Sequence, residues 1–329
     1  MKKIINNPDQ VVEEMLQGIV AAHPSIKRVP GFNVLVRSVA SPKVGLVSGG
    51  GSGHEPAHGG FVGKGMLDGA VAGAVFTSPT PDQVYEAIKT VDQQKGVLLI
   101  IKNYTGDVLN FEMAGEIAEA ENIQVERVIV NDDVAVEDST WTTGRRGIAG
   151  TIFVHKIAGA KAETGADLSD VKRIAEKVIS NVRSMGMALD SCTVPSVGKP
   201  SFSLDENQVE IGIGIHGEPG THREELKTAD EIVSHLMDKI LGDLNPVKGD
   251  EVAVLINGLG ATPSMELYII NLKVSKILAS KEIQIAKTYV NNYMTSLDMA
   301  GFSISILKLD DELKELLFAP ADTPALVQI

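Results

Sequence analysis

Cysteine is nearly absent: the 329-residue chain has one, Cys192. No disulfide can form within the chain and no thiolate cluster can hold a metal, which suits a reducing cytoplasm. Basic charge is also short. The 30 Lys and Arg stand against 43 Asp and Glu, a formal net charge of −13. A nucleic-acid binder needs a basic face to displace counterions, and the one notable basic pair is Arg145-Arg146. Long hydrophobic runs are missing too. The best, GVLLII, is strand-length, far below the roughly 20 residues that span a bilayer. The N-terminus MKKIINNPDQ has two lysines but no apolar core, and Pro8 interrupts it, so no secretory signal is expected. These absences predict a soluble cytoplasmic protein that binds neither nucleic acid nor membrane.

What is present is ordinary globular composition, 43% hydrophobic and 22% charged, at a length that predicts two domains. The first 150 residues alternate strand, Gly/Pro loop and helix. KVGLVSGGGSGHEP is a short β-rich run ending in glycines. FTSPTPDQVYEAIKTV is a loop and then a helix whose first turn holds Pro81 and Asp82, residues that suit a helix start. GVLLIIKNYTGDVLNFEMAGEIAEA repeats the scheme, and VERVIVNDDVAV is a further strand. Continuous apolar strands spaced by helices predict a mostly parallel sheet covered on both faces. Ligands gather at the carboxyl ends of such strands, so the loops after Val47, Phe76 and Ile101 are the ones to watch.

From about Ile148 to Leu189 the pattern is helical. SCTVPSVGKPSFSLDENQ reads as a connecting loop, and a second α/β unit follows. It has strands at IGIGIHG, EVAVLING, IQIAKTYV and FSISILKL, with helices at TADEIVSHLMDKIL and SMELYIINLKVSKIL. The expected fold is α/β in two domains. Residues 1–185 form a mostly parallel sheet with helices on both faces, and residues 186–329 a smaller unit with a mixed sheet.

SGGGSGHEP, Ser48 to Pro56, fits no common template. A dinucleotide fingerprint would need glycine at His54, a P-loop fails at Gly63-Lys64-Gly65, and the hydrolase elbow around Ser52 again meets His54. The loop is either a tight turn or a cradle whose backbone N–H groups face a small polar ligand. In KNYTGD, Lys102 and Asp107 are either a surface ion pair or a strand-end site where the carboxylate serves as general base. Of seven histidines, His54 and His216 stand out because glycines flank them. His23, His155 and His235 lie in helical patterns at the surface or core edge, and His58 and His222 in loops. With no H-x-x-x-H pair and no tight ligand spacing, no metal is expected.

With GLVSGGGSGHEP, FTSPTPDQVYEA, GVLLIIKNYTGDVLNFE, DDVAVEDS, TGRRGIAGT, CTVPSVGKPSF, GIGIHGEPG, NGLGATPSMELY and YMTSLDMAGFSISILKLDDE collected in order, the sequence resembles the dihydroxyacetone-binding (K-type) subunits of dihydroxyacetone kinase, over essentially its whole length. The resemblance implies that His216 adds covalently to the substrate's C2 carbonyl as a hemiaminal and that His54 assists as acid/base. It also implies that Asp107 takes the proton of the hydroxyl to be phosphorylated. Lys102, Gly51, Ser52, Gly53 and Ser78 would complete the substrate site. The physical advantage is selectivity. Dihydroxyacetone has six heavy atoms, so noncovalent affinity is capped near about 9 kcal/mol. Glycerol offers similar hydroxyls but no electrophilic carbon, and only a nucleophile separates the two by chemistry.

No nucleotide domain follows APADTPALVQI. The resemblance therefore implies the phosphotransferase-dependent, phosphoenolpyruvate-driven arrangement. This chain would carry no cofactor, a separate L-type subunit would hold ADP and Mg²⁺, an M-type phosphoprotein would recharge it, and the chain itself would form a homodimer. The alternative is a non-catalytic paralogue that binds dihydroxyacetone as a sensor or transcriptional co-activator.

Overall fold

A computed structural model describes residues 2–137 and 143–329, so Asp138 and Ser139, the end of DDVAVEDS, lie outside the described residues. The first unit runs α1 (Val11–Ala22), β1 (Ile26–Arg28), β2 (Val34–Arg37), β3 (Gly45–Ser52), β4 (Gly69–Val75), α2 (Pro81–Val91), β5 (Val97–Lys102), α3 (Thr105–Ala120) and β6 (Val125–Val130). Its sheet has the order β1-β2-β4-β3-β5-β6. The four strands β4, β3, β5 and β6 are parallel, with β2 and β1 antiparallel at one edge. Buried β5 shows why its sequence is continuously apolar. Val97, Leu99 and Ile101 face α2 and α3, while Leu98 and Ile100 face the opposite core, the period-two alternation of a strand covered twice. Helix α2 starts at Pro81 as expected.

Two helices follow, α4 (Thr151–Glu163) and α5 (Leu168–Asn181). The second unit is then β7 (Val182–Ala188), β8 (Gln208–Ile211), β9 (His222–Glu225), α6 (Ala229–Leu244), β10 (Glu251–Gly258), α7 (Ser264–Ser280), β11 (Gln284–Asn291), β12 (Gly301–Leu309) and α8 (Asp311–Phe318). Its sheet, ordered β11-β10-β12-β7-β8-β9, is mixed, because only β10 and β11 pair in parallel. Helix α6 opens with a capping box, Thr228 and Glu231 bonding reciprocally. Among the described residues no helix is long and apolar enough to cross a membrane.

Three local expectations change. The glycine run is strand, not loop, since β3 continues to Ser52. The helical stretch ends at Asn181, and VRSMGMA becomes β7. The IGIGIHG strand stops at Ile211, which leaves His216 in a loop between β8 and β9. The chain thus enters the second sheet at Val182, and residues 185 and 186 both lie inside β7. One core serves both sheets around α4. Phe153 and Ile157 cluster with Leu98 and Ile100 of the first sheet and with Leu255 and Leu307 of the second. The C-terminal segment returns to the first unit, where Asp322 bridges Lys64.

A shared core predicts shared stability. Phe153→Ala, at a fully buried position, should cost about 3–5 kcal/mol and shift a single urea transition. If the melt splits instead, with one sheet unaffected, the two units are energetically separate.

Candidate active site

The site forms where β3 parts from β5. The two strands pair only as far as Ser48 and Ile100, whereas β3 stays with β4 to Ser52. Into the gap come Lys102, the last residue of β5, and Asp107, from the first turn of α3. Lys102 Nζ lies 3.2 Å from Asp107 Oδ2, with both side chains buried, so this is no surface ion pair. Among the described residues, Asp107 Oδ1 has no hydrogen-bond partner. A β-carbon on Gly50 would lie 2.6 Å from Lys102 Nζ, so only glycine lets the ammonium approach the strand.

The expected cradle of amides is partly occupied from within. Gly53 N–H donates to the Glu55 carboxylate at 3.0 Å, and the Ser52 hydroxyl donates to Gly73 O at 2.7 Å. Gly51 lies against the Phe76–Thr77 backbone, and Ser78 Oγ sits beside Gly106, next to Asp107. The structure therefore brings Gly51, Ser52, Gly53, His54, Ser78, Lys102 and Asp107 to one end of the first sheet.

His216 arrives from the second unit. Its ring meets His54 edge-on with centroids 4.7 Å apart, Tyr104 at 4.6 Å and Phe76 at 5.3 Å. The imidazole is thus ringed by side chains, contrary to the stripped setting its flanking glycines suggest. Gly214 has a different use. A β-carbon there would lie 2.0 Å from Glu218 Oε2 and 2.7 Å from Arg146 Nη1, so it makes room for a buried carboxylate and its counter-ion. Glu218 receives the His216 backbone N–H at 2.9 Å and contacts the ring Nδ1 at 2.8 Å.

These contacts set the tautomers. A carboxylate can only accept, so Nδ1 of His216 carries a proton, and in the neutral ring that puts the lone pair on Nε2. His54 is arranged likewise. Its Nδ1 donates to Thr295 O at 2.8 Å, and its buried Nε2 has no partner among the described residues. Burial, then the nearby His216 and Lys102, hold His54 well below the ordinary imidazole value despite the Thr295 bond, so it is neutral. Burial works against the Glu218 carboxylate, but His216 and Arg146 outweigh it and bring Glu218 down to about 2.

Arg146 is fully buried. It bonds Asp133 at 2.8 Å and Gly212 O at 2.7 Å, while the half-buried Arg145 forks onto Asp243, so both members of the basic pair are engaged within the chain. His155 is likewise no core-edge residue: it is buried 3.0 Å from His58 Nδ1. Sequence reasoning missed Glu218, Tyr104, Phe76, Arg146 and Thr295. A carboxylate two residues beyond His216 was a readable signal for Glu218. Thr295, 241 residues from His54, gave none.

Comparison with known proteins places this architecture. A model of the Dak1 domain matches residues 17–325, and the chain belongs to that family. It is 56% identical, over 99% of its length and 100% of the relative's, to the PTS-dependent dihydroxyacetone kinase 1, dihydroxyacetone-binding subunit DhaK, of Listeria innocua. It is 55% identical to the corresponding DhaK subunit of Lactococcus lactis, with 94% of each chain covered. Among solved structures, the dihydroxyacetone kinase of C. freundii superposes with a TM-score of 0.92 at 38% identity, covering 99% of this chain and 60% of that one. The dihydroxyacetone kinase operon co-activator DhaQ superposes at 0.91 and 36%, covering 96% and 98%.

Two outcomes follow from Glu218. In ¹⁵N NMR, the neutral form of His216 should be the Nδ1-protonated tautomer, and Glu218→Gln should mix the tautomers, since an amide can also donate. For stability, the folded value of about 2 lies below the ordinary 4.5. The contribution of Glu218 is therefore complete above pH 4.5 and lost as pH falls towards 2. Glu218→Gln should flatten the acid loss of stability in that window, measured by urea melts, and an unaltered pH slope would contradict the assignment.

Proposed function

We propose that this chain is the dihydroxyacetone-binding subunit of a phosphotransferase-dependent dihydroxyacetone kinase, holding its substrate as a covalent adduct of His216. The observation that carries the reading is the pairing of Glu218 with Nδ1 of His216, which leaves Nε2 nucleophilic beside a neutral His54. The full-length identity of 56% to a kinase subunit, against 36% to the co-activator, supports the enzymatic reading. So do the Lys102–Asp107 pair and its unpartnered oxygen, which a sensor has no need of.

In this reading the Nε2 lone pair forms a bond to C2 as the carbonyl π bond breaks. The ring becomes cationic and the oxygen anionic. One proton leaves the ring at Nδ1 through Glu218, and one reaches the oxygen from solvent through Nε2 of His54, which accepts it before donating it; the net move is from ring to oxygen and leaves a neutral hemiaminal. Tethering converts the next step into one between fixed partners, which removes much of its entropic barrier. Asp107 then takes the proton of the terminal hydroxyl as that oxygen bonds to phosphorus, and the bond from phosphorus to the donor on an ADP-carrying L-type partner breaks. Lys102 holds Asp107 in place and offsets charge as it develops. The partner and its Mg²⁺ supply the donor chemistry, and a homodimer is part of the same reading.

Native mass spectrometry should show one dihydroxyacetone bound per wild-type chain and none bound to His216→Ala. Asp107→Asn should retain the adduct but lose about 10²–10⁴-fold in turnover, measured with an L-type partner and a phosphodonor system. Capture unaffected by His216→Ala would sink the covalent reading. Full turnover by Asp107→Asn would remove its role as base.

A further inference from the structure

The hairpin that carries His216 is built from β8, the loop 212–221 and β9, and β9 is the edge of the second sheet. Only three residues separate β9 from α6. His222 and Glu224, two apart on β9, project to the same side, and His235 of α6 faces them. One donor atom from each of these three lies within 4.8 Å of the others, the one such group of His, Cys, Asp and Glu among the described residues.

The second observation is the orientation of His222. The Thr221 hydroxyl lies 3.1 Å from Ile211 O, which can only accept, so the hydroxyl proton is committed there. The 3.0 Å contact between Thr221 Oγ1 and His222 Nδ1 is then a bond donated by the ring. In the neutral ring that leaves the lone pair on Nε2, which lies 3.7 Å from Glu224 Oε2. An outer-shell bond of this kind is how metal-binding imidazoles are oriented. The His235 ring lies nearly parallel to that of His222, with centroids 5.7 Å apart. The group that competes for the site is Lys227, whose Nζ lies 2.6 Å from Glu224 Oε2.

We propose that His222, Glu224 and His235 bind one divalent transition-metal ion of the zinc class, and that the ion pins the His216 hairpin to α6. Two imidazoles and a carboxylate are a borderline donor set that suits zinc, with water at the fourth position. Ligand distances of roughly 2.0–2.2 Å in a tetrahedron put donors about 3.4 Å apart, so the cluster needs to contract by about an ångström. His222 is exposed and the other two half-buried, so side-chain rotation supplies that contraction, and Lys227 gives way into solvent. Sequence spacing hid the set because His235 comes from the next helix.

The test is a zinc titration by calorimetry on the untagged full-length chain after chelator treatment. One ion should bind per wild-type chain. His222→Ala, Glu224→Gln and His235→Ala should each weaken binding at least tenfold, and His23→Ala should leave it unchanged. Far-UV circular dichroism without zinc checks that each variant folds. No binding to wild type, or wild-type affinity in the His222→Ala/His235→Ala double variant, overturns the site. Hydrogen exchange of amides 208–225 should slow with zinc in wild type but not in His235→Ala. An unprotected hairpin in zinc-loaded wild type overturns the pinning.

Discussion

A buried carboxylate is costly unless something positive and several donors surround it, and Glu218 is the group on which this site depends. It is ionised because His216 gives it two hydrogen bonds and Arg146, from the segment before α4, reaches into the same loop, its Nη1 3.5 Å from Pro219 O. Arg146 is in turn tolerated in the interior because Asp133 and the carbonyl of Gly212 receive it. Burial pushes Asp133 up to about 6 even with that guanidinium beside it. Each member makes the next affordable, and the chain of contacts ends at one imidazole nitrogen. Removing any one member leaves another unpaired, so the loop holds a single arrangement.

The pieces come from distant parts of the chain. The Lys102–Asp107 pair and the glycine strand belong to the first sheet and His216 to the second, while Thr295 fixes His54 from the far side of the sequence. They stay in register because α4 is buried on nearly every face and lies in one hydrophobic cluster with both sheets. A rigid shared core is what allows ring-to-ring distances below 5 Å to be kept between residues of different units.

Fold alone does not separate the two functional readings. A dihydroxyacetone kinase and a dihydroxyacetone kinase operon co-activator superpose on this chain almost equally well, at TM-scores of 0.92 and 0.91. Function belongs to the side chains set on the scaffold. In the proposed reading, what favours an enzyme over a sensor is not His216, which either would use, but the buried ammonium–carboxylate pair.

Much of the architecture was legible in the chain itself. Doubly apolar β5, the proline-started α2 and the polar start of α6 at Thr228 are short-range signals, governed by periodicity and by the first turn of each helix. His54 and His216 could be picked out by their glycine settings, Lys102 and Asp107 by their place after a buried strand, and all four by resemblance. The glycines themselves misled: Gly50, read as part of a loop, gives space inside a strand, and Gly214, read as part of a strand, gives space inside a charged loop. Strand β7 was hidden behind a helical stretch. Sequence determined which segments could be strand or helix and which residues could react. Tertiary structure decided which tautomer His216 adopts, that Arg146 is internal and that Thr295 orients His54, because burial and charge depend on neighbours brought together from far along the chain.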